Sequence, residues 1–339
     1  MLQQQQQPQP KDFEVQPNCP DGISDLHFSP TSELLAVSCW DGNTRIWEVM
    51  PNGSANAKVE IAHGAPSLCV RFSADGSKLF SGSADKTGKI MDLTTGQTIQ
   101  AVQHDAPFRC VRWLNYGNTN GMLVTGGWDK TLRYWDLRQP TPAHVAQLND
   151  RVYAMDSMQN LLVVGCANRE VVLYNLNNPQ QSVKTLESPL KFQTRTLACF
   201  PDARGFAIGS VEGRVGIQYV EAKDNGLNFS FKCHRDDKNI FSVNSIQFHP
   251  VLGTFSTAGS DGGFNFWDKD SKQRLKAFPV TGIPIPCSAF SRTGNIFAYA
   301  QSYDWSKGVD GSLQGTKHQV MLHATKDEDV RPRPAKGKR

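Results

Sequence analysis

The chain is poor in the features that announce an enzyme or a membrane protein. Its eight cysteines fall singly at Cys19, Cys39, Cys69, Cys110, Cys166, Cys199, Cys233 and Cys287, so no CxxC pair offers a metal or redox centre. Several lie in alternating apolar runs, where cysteine behaves as a small hydrophobe, and buried free thiols are expected. No apolar run approaches the length of a membrane helix, and no membrane insertion is expected. The opening MLQQQQQPQP lacks the basic start and apolar core of a secretory signal, which predicts a reducing compartment. H-E-x-x-H, G-x-S-x-G and Walker-type G-x-x-x-x-G-K-[ST] patterns are absent, and GSVEGRVG (209–216) lacks the phosphate-binding Lys and opens a strand. No cofactor or metal is expected. Cys233 and His234 adjoin in FKCHR, but two ligand types without a second pair are weak grounds for zinc. A net charge of +4 over 339 residues does not by itself indicate a nucleic-acid binder.

What is present is repetition. LLAVSCWDGNTRIWEV (34–49), LFSGSADKTGKIMDL (79–93), LVTGGWDKTLRYWDL (123–137), LVVGCANREVVLYNL (162–176), FAIGSVEGRVGIQYV (206–220) and FSTAGSDGGFNFWDK (255–269) share one plan. An alternating apolar run leads through small residues to a turn pair, then to a second run closing on an anchor, as in a β-hairpin. The anchors Trp47, Met91, Trp135, Tyr174, Tyr219 and Trp267 recur at close to the ~40–45-residue WD-repeat period. Intervening strands such as SLCVRFS, FRCVRWL and SVNSIQF bring each unit to about four strands, one propeller blade. A seventh blade is expected over Cys287–Thr325, from CSAFSRTGNIFAYAQSYDWSKG to HQVMLHAT, with Leu322 as its anchor and a polar insertion for its turn. The strand at 12–15 has no partner of its own and is assigned to the outer edge of blade seven, because an open edge would invite pairing with another chain. The expected fold is an all-β, seven-bladed WD-repeat propeller over 11–325. Tails are expected at 1–10, rich in Gln and Pro, and at 326–339, disordered and basic.

Periodicity also bears on the chemistry. His104, Thr125 and Asp129 have the makings of a base, nucleophile and orienting acid. Blade two carries the counterparts His63, Ser81 and Asp85, and a triad is not normally built twice in adjacent repeats. His104, Thr125, Asp129 and Trp135 therefore read as a buried bracket in which a turn carboxylate finds its partners, and no enzyme is expected. Three segments stand outside the repeat plan. WDKDSKQRLK (267–276) places Lys269, Lys272, Arg274 and Lys276 after a blade anchor; FSFKCHRDDK adds Phe229, Phe231, Lys232 and Arg235; YDWSKG supplies Tyr303, Asp304, Trp305 and Lys307. Cations beside aromatics suit phosphates and bases, or an acidic peptide, and equally a solvated loop.

Taken with ESPLK, FKCHR, FWDKDSK and YDWSKG in this order, the chain from about 11 to 325 resembles the WD-repeat mRNA export factors of the nuclear pore, the RNA export (Rae/Gle) family. The resemblance implies a nuclear-pore adaptor, found in the nucleus, at the pore and envelope and shuttling to the cytoplasm. It would bind the GLEBS peptide of a phenylalanine-glycine-repeat nucleoporin and associate with mRNA or messenger ribonucleoprotein for export, with spindle proteins as further partners. It implies nucleoporin binding at Arg214 and a nucleic-acid patch at Phe231, Trp267, Asp268, Lys269, Lys272 and Arg274. Two alternatives stand beside it. One is a substrate receptor of a cullin ubiquitin ligase, docking the ligase adaptor through Asp136 and Arg138 of the W-D-x-R in YWDLR. The other is the related spindle-checkpoint propeller, which also binds GLEBS-type peptides.

Overall fold

In the computed structural model, residues 12–119, 121–312, 315 and 317–334 are described. They form seven four-stranded antiparallel sheets. The blades span 23–62, 67–103, 108–147, 152–187, 194–232, 243–277 and 288–324, each running from an inner strand at the central channel to an outer edge. Blade seven supplies three strands of its own. Its outer strand is Phe13–Glu14, with Phe13 opposite Leu322 and Glu14 opposite Met321, so the N-terminal segment closes the ring.

The cores lie between blades. Successive residues of a strand face opposite sides of its sheet, and both sides are covered by neighbours, so a run such as Leu161–Cys166 is buried throughout. Seven apolar clusters each join adjacent blades, the last uniting Val15, Ile23, Leu26 and Trp47 with Ala298, Val320 and Leu322. At about 1.5–3 kcal/mol for each fully buried large apolar side chain, these interfaces are the main stabilising term. Small residues near the ends of the second strands permit this approach. A Cβ on Gly126 would stand 2.7 Å from a Val152 methyl in the next blade. All eight cysteines are buried free thiols.

The turn pairs read in the sequence set the local geometry. The second residue is left-handed in each: φ is 72° at Lys86, 62° at Lys130, 68° at Arg169 and 62° at Gly213. Asp41, Asp85, Asp129 and Asp261 each accept the backbone N–H two residues on. These turns and the links between blades lie at one rim, here the upper. Turns between first and second, and third and fourth, strands lie at the lower rim.

Three expectations need correction. The ladders put Gln218, opposite Phe206, at the position held by Trp135, and Tyr219 faces the following blade. In blade seven that position is His323, opposite Phe297, while Leu322 packs toward blade one. In both cases the sequence offers two adjacent residues able to anchor, and a one-residue shift reverses the face. The third concerns the C-terminal tail, which does not begin at 326. A short helix, Asp327–Val330, lies on blade six with Val330 buried; Lys276 pairs with Asp329 at 3.2 Å, and Thr254 Oγ1 donates to Val330 O at 2.7 Å. The apolar Val330 inside a charged segment is what holds it there. The Gln/Pro-rich stretch 1–10 and the last five residues lie outside the described residues.

Candidate functional site

His104, Thr125, Asp129 and Trp135 meet in blade three. His104 Nδ1 is 2.9 Å from Asp129 Oδ2 and its Nε2 is 2.7 Å from Thr125 Oγ1, to which Trp135 Nε1 donates at 2.8 Å. Burial lowers the His104 pKa although Asp129 opposes it. Burial works against ionisation of Asp129, but hydrogen bonds from His104 and Thr131 outweigh it and hold the carboxyl well below its usual range. Both imidazole nitrogens are engaged within the chain, so the group offers no free base.

Blade six repeats this bracket. His234 Nδ1 lies 2.9 Å from Asp261 Oδ1, His234 Nε2 is 2.9 Å from Thr257 Oγ1, and Trp267 Nε1 donates to the same Oγ1 at 2.9 Å. The signal was in the sequence: Thr, Asp and Trp follow one another at the same four- and six-residue spacings in both blades. With both nitrogens occupied, His234 is not available to a metal, and no metal-holding group of His, Cys, Asp and Glu occurs among the described residues. Blade two holds a weaker version. His63 Nε2 meets Ser81 Oγ, but Nδ1 is 3.8 Å from Asp85, beyond a hydrogen bond. Without a Trp anchor the blade-two network is incomplete.

Trp267 links the bracket to the lower-rim surface between blades five and six. Phe231 packs on Trp267 with ring centroids 4.5 Å apart, and Arg274 stands over the Trp267 ring at 5.9 Å. Lys272 lies 4.8 Å above Phe229. Lys269 is deeper: it sits over Phe200 at 5.0 Å and Tyr219 at 5.9 Å, and pairs with Asp270 at 2.7 Å. Burial would lower the Lys269 pKa, yet the Asp270 partner raises it on balance. Asp268 does not face outward. It is buried, accepting from Asp270 N (2.9 Å), Ser271 Oγ (2.6 Å) and Arg333 N (3.2 Å), so it holds the turn that presents the cations. The six residues of the expected patch are thus contiguous, with Asp268 as scaffold, Lys269 largely enclosed and Lys272 and Arg274 at the surface.

Arg214 is at the opposite rim. It opens the third strand of blade five immediately after Gly213, where a Cβ would meet the Cys233 carbonyl oxygen at 2.7 Å. Arg235 binds the carbonyls of Glu212 and Gly213 and fixes this turn. Lys191, Phe192, Arg214, Lys232, Arg235 and Ile240 line a groove of about 680 Å³, in which Phe192 and Ile240 are more than half exposed. Asp136 and Arg138 lie at the lower rim of blade three, where Arg138 Nε and Nη2 reach Asp136 at 2.8 and 2.6 Å. The structure does not bring Arg214, the cationic patch and the Asp136–Arg138 turn together.

The WD domain, G-beta repeat family matches residues 14–48, 57–92 and 96–136. The mRNA export factor GLE2 of Chaetomium thermophilum is 51% identical over 328 residues, covering 94% of this chain and 92% of that protein. The chain belongs to the RNA export (Rae/Gle) family. The Poly(A)+ RNA export protein of Schizosaccharomyces pombe is 52% identical over 97% of this chain and 94% of its own length. Protein RAE1 of Arabidopsis thaliana is 46% identical over 96% and 94%. Rae/Gle similarity therefore covers all seven blades, whereas the general repeat pattern is matched only in the first three.

Proposed function

We propose that this chain is a non-enzymatic mRNA export adaptor acting at the nuclear pore. In this reading the upper-rim groove of blade five receives the GLEBS peptide of an FG nucleoporin, and the lower-rim patch of blades five and six takes RNA. The observation that carries it is the separation of two cationic surfaces onto opposite rims of one rigid ring, one beside the exposed Phe192 and Ile240 and the other over half-buried aromatic rings. A peptide and a polynucleotide can then be held together without competing.

The chemistry of each surface supports its assignment. Arg214, Lys191, Lys232 and Arg235 around Phe192 and Ile240 suit a peptide that alternates acidic and apolar side chains. Lys272 and Arg274 over aromatic rings suit phosphates flanked by stacked bases, giving salt-dependent and weakly sequence-selective affinity. The names of the relatives, an mRNA export factor and a Poly(A)+ RNA export protein, support the export role. Location at the nucleus and pore follows from this reading. The test is calorimetric titration of a GLEBS peptide into the wild type and Arg214→Glu: about tenfold or greater weakening, with an unchanged thermal transition, is expected. Equal affinity overturns the peptide assignment.

A further inference from the structure

The segment that follows the last blade carries cations that the patch of blades five and six does not include. Residues 331–339, RPRPAKGKR, hold Arg331, Arg333, Lys336, Lys338 and Arg339 and no acid. The acids lie just before them and are already spent. Asp329 pairs with Lys276 at 3.2 Å, Asp327 with Arg331 at 3.0 Å, and Glu328 stands 3.9 Å from Lys326. The positive charge from Arg333 onward is left over.

The chain does not leave the ring at the helix. Arg331 has extended backbone, φ −65° and ψ 131°, and Pro332 and Pro334 keep the residues before them out of the helical region. Arg333 N then donates to Asp268 Oδ2 at 3.2 Å, and its guanidinium reaches Gln273 Oε1 and the Leu275 carbonyl, each at 3.3 Å. Both of these acceptors are neutral and belong to Gln273–Ala277, the outer strand of blade six that also carries Arg274. Lys269 and Lys276 have carboxylate partners in Asp270 and Asp329; among the described residues Lys272, Arg274 and the exposed Arg333 have none. Asp268 holds the turn that presents Lys269 and Lys272, so position 333 is tied to the edge of the patch. Residues 335–339 can span at most about 18 Å beyond Pro334, which keeps Lys336, Lys338 and Arg339 within reach of a strand lying on Lys272 and Arg274.

The two parts differ in chemistry. Phe229 and Trp267, beneath Lys272 and Arg274, offer ring faces to bases. Residues 333–339 contain no aromatic ring and no carboxylate, only cations spaced by Pro, Ala and Gly, which suits backbone phosphates. A basic stretch read by an import receptor works from any place on a chain, and gains nothing from the tie between Arg333 and Asp268 or from a seat beside aromatic rings.

We propose that residues 333–339 are the second half of the lower-rim RNA surface, a cationic arm that lies along the phosphates of a single strand whose bases meet Phe229 and Trp267. The arm enlarges that site and so stands on the RNA reading of the patch.

The test is fluorescence anisotropy on the full chain with a labelled single-stranded RNA of about twelve nucleotides, over a series of salt concentrations. The arm variant Lys336→Ala, Lys338→Ala, Arg339→Ala should weaken RNA about tenfold and lower the salt slope by about 2, for three lost phosphate contacts at about 0.7 each, with an unchanged thermal transition. Arg333→Ala should lower the slope by about 0.7 and Arg333→Lys should restore it, because a phosphate needs the charge and not the bonds to Gln273 and Leu275. Lys86→Gln with Lys130→Gln, two cations of the opposite rim, should leave the slope unchanged; a loss there in proportion to charge makes the effect one of net charge and overturns the proposal. If the arm variants bind RNA as the wild type does while Lys272→Ala with Arg274→Ala weakens it, the arm is no part of the site and the proposal fails alone. If that patch variant also binds as the wild type does, or the wild type does not bind, the RNA reading of the patch fails and the arm with it. An arm variant that keeps full RNA affinity but no longer accumulates in nuclei gives the segment to an import receptor and likewise overturns the proposal.

Discussion

At the residue scale, a single hydroxyl organises each complete bracket. Thr125 Oγ1 lies between His104 Nε2 and Trp135 Nε1, and Thr257 Oγ1 between His234 and Trp267. Replacing Thr125 by Val keeps the shape and leaves both ring nitrogens buried without a partner. A loss of about 2–3 kcal/mol is expected in denaturant unfolding, with RNA and peptide affinities unchanged. Thr257→Val should cost about as much and also weaken RNA binding, because Trp267 floors the cationic patch. The first bracket was legible because His104, Thr125, Asp129 and Trp135 share one repeat. The second was obscured by the Cys-His pair in FKCHR and by the basic residues that follow Trp267.

Histidine burial also predicts a pH dependence. Burial lowers the His63 pKa to about 4 against the pull of Asp85, and burial lowers that of His104 as well. A histidine kept neutral in the fold takes up its proton more readily when unfolded, so the unfolded chain binds more protons between about pH 6.5 and 4. The stability is fully present above about pH 6.5 and falls as the pH drops toward 4. His63 alone should account for about 2–3 kcal/mol across that window. Denaturation midpoints measured at pH 7 and pH 5 should differ accordingly, and His63→Gln should flatten the slope. A midpoint constant over this range would contradict the assignment.

At the scale of elements, the patch depends on a segment far away in sequence. The Asp268 turn that presents Lys269 and Lys272 is capped by the backbone of Arg333, whose side chain reaches Gln273 and the Leu275 carbonyl. Val330 anchors that segment in the core between blades six and seven. Val330→Ala should lower stability by about 2 kcal/mol, read as a drop in the melting temperature. It should also loosen the patch, which hydrogen exchange at Asp270 and Ser271 would report. Charge composition alone makes this segment look like a free tail, since one buried valine among Lys, Asp, Glu and Arg carries no periodic signal. The same limit applies to the blade-five and blade-seven anchors. Gln218 and His323 are poor matches to an aromatic anchor, and only the pairing register distinguishes them from Tyr219 and Leu322.

For the whole molecule, closure is the decisive feature. The ladder from Phe13–Glu14 to blade seven is short, but Asp12 reinforces it by accepting from Tyr299 Oη at 2.7 Å and meeting His323 Nδ1 at 2.8 Å. Deleting residues 1–15 exposes the strand Gln319–Ala324 as a free edge. Concentration-dependent association is expected in light scattering, where the full chain stays monodisperse. The repeat period, the turn residues and the unpaired N-terminal strand made this architecture legible from sequence. The cations and aromatics of blades five and six stood out in the sequence as departures from the repeat plan, whereas Arg214 was reached only through family resemblance, because one arginine beside a hairpin turn carries no signal of its own. A crossed titration tests whether the two surfaces act separately. Peptide and single-stranded RNA would each be titrated into the wild type, Arg214→Glu and the triple variant Lys269→Ala, Lys272→Ala, Arg274→Ala. Arg214→Glu is expected to weaken the peptide about tenfold and to spare RNA. The triple variant should spare the peptide, weaken RNA and reduce its salt slope by about 2. Loss of both ligands in either folded variant, or of neither in both, would contradict separate action of the two surfaces.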